Sequence, residues 1–155
     1  MTKIDEENAC SAQQLQVLAE FRHELRRFLH FSEQAAAEVN LQPQQHQLLL
    51  QIAGAPEGVA PTVAYAAERL GLRHNSVVEL SNRCEEAGLI VRRQDPQDHR
   101  CVLLCLTPHG QHILADLSAH HARELNEFGP RLIQALKRIQ AMDKPNLKNT
   151  KKASA

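Results

Sequence analysis

The sequence predicts a mainly helical fold carrying one small β-hairpin, on three observations. Apolar residues recur at helical spacing over most of the 155 residues. Two short helical stretches, one opening at Thr62 and one running through Val77 to Ala87, are joined by a tight turn at Gly71. Directly after them, residues 89–93 and 101–106 alternate in the strand manner around the turn-forming run Gln94-Asp95-Pro96-Gln97-Asp98-His99. A chain of this length supports one core-bearing domain.

Each element has its own signal. From Ser11 to about Val39, Leu15, Leu18, Leu25 and Leu29 keep helical spacing with Phe21 and Phe28 beside them, so one long helix is expected, too apolar to stand alone. Pro43 fits the first turn of a second helix through His46, Leu48, Leu49 and Ile52, which the run from Gly54 to Gly58 ends. Pro61-Thr62 opens the third, with Val63, Ala66, Ala67 and Leu70 inward and Gly71 as its left-handed stop. Val77, Leu80, Cys84 and Ala87 define the fourth, which Gly88 stops. After the hairpin, Thr107-Pro108 caps a fifth helix through Ile113, Leu114 and Leu117 toward Leu125. Gly129-Pro130 begins a sixth with Leu132, Ile133, Leu136 and Ile139. The expected layout is a single domain: flanking helices over 11–42 and 108–141, a helix-turn-helix core with a hairpin wing over 43–107, and a flexible basic tail over 142–155 holding Lys144, Lys148, Lys151 and Lys152.

Composition narrows the function. Eighteen basic residues balance eighteen acidic ones at a pI near 7.1, so any surface for a polyanion must be local. The amino end is acidic and lacks the apolar core of a secretory signal, and no apolar run approaches the ~20 residues that span a bilayer. A soluble, cytoplasmic protein with no membrane partner is expected. Cys10, Cys84, Cys101 and Cys105 are too few and too scattered for a disulfide framework, which fits a reducing compartment. Cys101 and Cys105 lie ~13 Å apart along one strand, too far to bridge, and Cys84 falls on an inward stripe. Aromatic residues are 3 % of the chain and Trp is absent, which argues against the stacking platforms of single-strand and RNA binders. No nucleophile with a base, phosphate loop or ligand triad occurs at usable spacing, so neither catalysis nor a cofactor is expected.

The helix-turn-helix and hairpin carry a family likeness. Pro61-Thr62-Val63-Ala64 followed by Glu68-Arg69-Leu70-Gly71-Leu72, the helix Asn75-Ser76-Val77-Val78-Glu79-Leu80-Ser81-Asn82-Arg83, and Glu86-Ala87-Gly88-Leu89-Ile90-Val91-Arg92-Arg93 stand in register. Asp98-His99-Arg100, followed after five intervening residues by Leu106-Thr107, completes the pattern. Over residues 15 to 140 the chain resembles the MarR (multiple antibiotic resistance regulator) family, whose wing carries an Asp-x-Arg signature followed by Leu-Thr. The resemblance implies a winged helix-turn-helix transcriptional regulator, a repressor released by a small molecule, that binds double-stranded DNA as a homodimer.

Physical chemistry singles out the contact residues. A recognition helix presents short polar groups near its amino end, where it approaches base edges in the major groove. His74, Asn75 and Ser76 stand there, with Val78, Glu79, Asn82 and Arg83 farther along. In the wing, Arg93, Asp98, His99 and Arg100 are the candidates: a narrow minor groove attracts one projecting Arg, and the resemblance implies that Asp98 orients Arg100. An Asp98–Arg100 pair that only stabilises the turn is the plainer alternative. His99 stands where relatives often carry a second basic residue, which makes wing contact weaker or pH-dependent. Between Arg69 and Arg100, six Arg face five carboxylates, so strong sequence-blind affinity is excluded and dimerisation must supply the remainder. A two-fold pair of half-sites about one helical turn apart follows. A winged helix used for protein contact is the rival.

Sensing is less legible. Arg22 interrupts the leucine stripe of the first helix and reads as inward-facing, where an aromatic or other small acid, or an Asp or Glu across the dimer, would pair with it. His23, Arg26 and His46 are weaker pocket candidates. Cys10 lies where some relatives trigger through a reactive thiol, although nothing beside it lowers its pKa. His112, Asp116 and His120 share a helix face without any companion metal motif, so a solvated face accounts for them and no metal is expected.

Overall fold

A computed structural model describes residues 12–142; Cys10 and the lysine-bearing stretch from 143 onward lie outside the described residues. The elements run α1 (Ala12–Glu38), α2 (Pro43–Ala53), α3 (Val63–Leu70), α4 (His74–Glu86), β1 (Ile90–Gln94), β2 (Val102–Leu106) and α5 (Pro108–Met142). They form two compact units, one of residues 31–123 and one made by the described parts of 1–30 and 124–155.

The 31–123 unit is the winged helix-turn-helix, and its local chemistry sets where each element stops. Thr62 Oγ1 accepts the Tyr65 N–H at 3.1 Å and so caps α3. Gly71 closes that helix at φ 64°, with its own N–H donating to Glu68 and the Leu72 N–H reaching Ala67 O at 3.0 Å. The same pairing recurs at the end of α4: Gly88 has φ 71°, its N–H reaches Glu85 O, and the Leu89 N–H reaches Cys84 O. Two left-handed stops thus bracket α4 and aim the chain into β1.

The wing is an antiparallel pair with Ile90 opposite Leu106 and Gln94 opposite Val102. It is also stitched to the entry of α3, because the Leu104 N–H donates to Pro61 O at 2.8 Å and Thr62 bridges Leu103. Beneath these elements lies one apolar core, in which Leu48, Leu49, Val77, Leu80, Cys84, Ile90 and Leu104 are essentially inaccessible. Cys84 is indeed core, and burial pushes its thiol up to about 11.

In the other unit, Val17 of α1 and Ala135 of α5 are buried, and the Arg27 guanidinium lies over the Phe128 ring at 4.8 Å. Glu24, 4 % exposed, has Arg27 at 3.5 Å, while its Oε2 finds no hydrogen bond among the described residues. The leucine stripe of α1 points outward: Leu15 is 57 % exposed, and Leu18, Leu25 and Leu29 are exposed as well. Leu125, Ile133 and Leu136 of α5 join them.

The expected break at Gly129-Pro130 does not occur: α5 is one helix with Pro130 inside it. Proline removes one helical N–H and crowds the carbonyl four residues back, at a cost of about 3 kcal/mol. Gly129, lacking a Cβ, relieves part of the clash with the proline ring, and the packing of Phe128 and Ala135 continues across the site.

Candidate nucleic-acid interface

The wing tip is built around Asp98. One carboxylate oxygen, Oδ1, accepts the Arg100 backbone N–H and the Arg100 Nε–H, each at 3.1 Å, and Oδ2 faces Arg100 Nη2 at 3.4 Å. This fork holds the guanidinium in one orientation while its side chain stays 91 % exposed. The Arg100 side chain, and after it the Arg100 backbone N–H, hold the Asp98 carboxyl below the usual range. Around it the turn is closed by the Gln97 N–H to Asp95 Oδ1, the Cys101 N–H to Asp98 O, and Gln94 Nε2 donating to His99 O at 2.7 Å.

The recognition helix is tied to the wing by a second fork. Glu85 accepts the Arg92 backbone N–H at 3.0 Å and the Arg92 guanidinium at 2.8 and 2.9 Å, and these bonds lower its pKa, the backbone one most. Arg92 is therefore committed to structure. Arg73, Arg83 and Arg93 are exposed and form no ion pair among the described residues.

The sequence-selected residues fall into place unevenly. His74, Asn75, Ser76, Glu79 and Arg83 are exposed on α4, and Arg93, His99 and Arg100 are exposed on the wing. Val78 is half-buried and packs on the core, and the Asn82 Oδ1 is buried without a hydrogen bond. His74, Val78, Arg92 and Arg100, distant in sequence, line one cavity of about 170 Å³ between α3, α4 and the wing. Among the sensing candidates, Arg22 is exposed rather than inward within this chain, as are His23 and Arg26, all three on the part of α1 outside the winged unit, and His46 is buried in the winged unit. Cys10 is outside the described residues. His112 pairs with Asp116 at 3.5 Å, and among the described residues no three metal-ligating side chains converge.

Thr107 has a role beyond capping. Its Oγ1 accepts the Gly110 N–H at 3.0 Å and donates to Gly88 O at 2.6 Å, and its own N–H reaches Leu89 O. One residue thus starts α5 and clamps it to the end of α4. Gly110 was not singled out in the sequence, yet a Cβ there would run into the Leu89 carbonyl. A glycine within the first turn of a helix was the available signal.

A family model described as MarR family matches residues 39–100. A transcriptional regulatory protein for the hcr operon of Thauera aromatica is 30 % identical over 114 residues, covering 74 % of this chain and 67 % of that protein. The chain belongs to the MarR family. Solved MarR folds agree with its architecture. AbsC of Streptomyces coelicolor, a MarR family transcriptional regulator, superposes with a TM-score of 0.71 at 16 % identity over 88 % of this chain and 93 % of AbsC. A mutant of MepR from S. aureus, bound to an oligodeoxyribonucleotide, gives 0.59 at 19 % identity over 80 % and 95 %. The MarR family and these neighbours are transcriptional regulators, not enzymes. Within this MarR chain the family match ends at Arg100, on the residue that the Asp98 fork orients.

Proposed function

We propose that this MarR family regulator is a cytoplasmic, sequence-specific double-stranded DNA-binding repressor that acts as a homodimer on a pseudo-palindromic operator. The carrying observation is the Asp98 fork, which presents Arg100 almost wholly exposed at the wing tip and pre-oriented for a minor groove. Beside it, His74, Asn75 and Ser76 stand exposed at the amino end of α4, the end that approaches base edges. The DNA-bound MepR relative supports the same use of the fold.

Dimerisation is supported by the outward leucines of α1 together with Leu125, Ile133 and Leu136, an apolar surface that a monomer would leave in water. Two wings and two recognition helices then read half-sites about one turn of DNA apart. For an effector, Arg22 and Arg26 offer exposed cations suited to a small acid.

The test is promoter binding by an Arg100→Ala variant. We expect the affinity for DNA flanking its own gene to fall by about five- to 150-fold, since a base- or groove-contacting Arg contributes about 1–3 kcal/mol. Arg100→Lys should not retain full affinity, because an ammonium cannot reproduce the two-pronged guanidinium contact with Asp98. Unchanged binding by Arg100→Ala would move the chain to the rival use of the fold, protein contact.

A further inference from the structure

In the winged unit, three helices meet on a cluster of rings. His46 of α2 is 3 % exposed, and its imidazole stacks on His121 of α5 with centroids 5.0 Å apart and planes inclined by 28°. Phe31 of α1 sets its ring at 75° to His121, 5.7 Å away. His121 Nδ1 is bonded to the Leu117 carbonyl. A carbonyl only accepts, so Nδ1 carries the hydrogen, and any further proton on His121 must go to Nε2.

Stacked neutral imidazoles pack as aromatic rings do, whereas a proton on either ring places a cation in a site that water barely reaches. A second proton adds like-charge repulsion across 5.0 Å. We propose that the His46–His121 stack is an acid-sensitive latch: while His46 is neutral the stack holds α2 against α5, and proton uptake by His46 opens that contact.

Among the described residues, the surroundings of His46 offer little to neutralise a charge on its ring. Apart from His46, α2 has no ionisable side chain. What α3, α4 and β2 place beneath it is Val63, Ala66, Val77, Leu80 and Leu104, together with the thiol of Cys84, neutral because its pKa is about 11. On α1, Glu33 and Glu38 are exposed, and Glu24 is engaged with Arg27. On α5, Asp116 pairs with His112 and His120 with Arg123, while Glu124 stands three residues beyond His121, half-buried. Among the described residues no acid forms an ion pair with His46.

Burial first, and His121 second, lower the His46 pKa below its ordinary value of 6.5. The opened form takes up the proton at that ordinary value and the closed form does not. The latch is therefore fully stable above about 6.5 and weakens as pH falls from there toward the lowered value, its opening constant rising about tenfold per pH unit for each proton taken up. None of this depends on the DNA partner.

Amide hydrogen exchange of α2 across this range, corrected for the intrinsic pH dependence of exchange, tests the latch in the wild-type chain, in His46→Gln and in the exposed control His109→Gln. Opening that grows about tenfold per pH unit below about 6.5 in wild type and control, but stays flat in His46→Gln, is the expected result. A flat wild type, or an unchanged slope in His46→Gln, overturns the proposal. Should His46→Gln fail to fold, NMR titration of the wild-type His46 imidazole decides: titration below 6.5 as α2 opens supports the latch, and titration at the ordinary value overturns it.

Discussion

Arg100 is placed by chemistry local to three residues. Asp98 gives it one backbone and two side-chain bonds, so its direction does not depend on a long chain of contacts. The bonds that lower the Asp98 pKa also set its pH range. A depressed carboxyl keeps its partner above the ordinary value of about 3.9 and releases it as pH falls below that. DNA binding near neutrality should accordingly show no pH dependence arising from this fork, which a titration of affinity through the mildly acidic range in Asp98→Asn and wild type would check. Gly110 is a second residue-scale constraint. Its Cβ-less approach to the Leu89 carbonyl leads us to expect that Gly110→Ala lowers stability by about 3 kcal/mol, read from urea midpoints, despite the better helix propensity of Ala. The fork was legible in the sequence because its parts are adjacent; the Gly110 contact was not, because its partner lies 21 residues earlier in the chain.

At the scale of elements, helix stops were the most legible features. Thr62, Gly71, Gly88 and Thr107 each do what their type and position imply, since caps and left-handed stops are local. Pro130 misled for the same reason. It is a local breaker overridden by packing that extends past it on both sides, and such packing is invisible to a residue-by-residue reading. The face of α1 was legible only in part. A leucine stripe says that a surface is apolar, not which partner covers it, and within the single chain the stripe and Arg22 are exposed. Around α4 and the wing, Arg92 is held by Glu85, whereas Arg73, Arg83 and Arg93 are exposed and form no ion pair among the described residues. Replacing Arg83 or Arg93 by Ala should weaken binding to all DNA sequences alike and flatten the logarithmic salt dependence by about one unit for each phosphate left without its cation. Arg92→Ala, by contrast, should chiefly loosen the wing, seen as a lower melting temperature.

At the scale of the molecule, a chain with no net charge achieves a DNA-facing surface by sorting charges rather than accumulating them. Two of the acids that would repel phosphate, Glu85 and Asp98, are occupied by arginines of the same surface, while Glu79 stands exposed on α4. What remains is weak in one copy, so avidity from two copies is central to the account. The exposed leucines predict the means: Leu25→Glu should convert a dimer to a monomer in sedimentation and abolish operator binding, while leaving the melting of the 31–123 unit nearly unchanged.

The most direct measurement is hydroxyl-radical footprinting of the wild-type protein and of Arg100→Ala on the DNA flanking the gene. Two protected half-sites about one helical turn apart, each with a flanking minor-groove protection that disappears in Arg100→Ala, are predicted. A footprint that is identical in the two proteins, or a single unsymmetrical protection, would contradict a dimeric winged helix that reads DNA with Arg100.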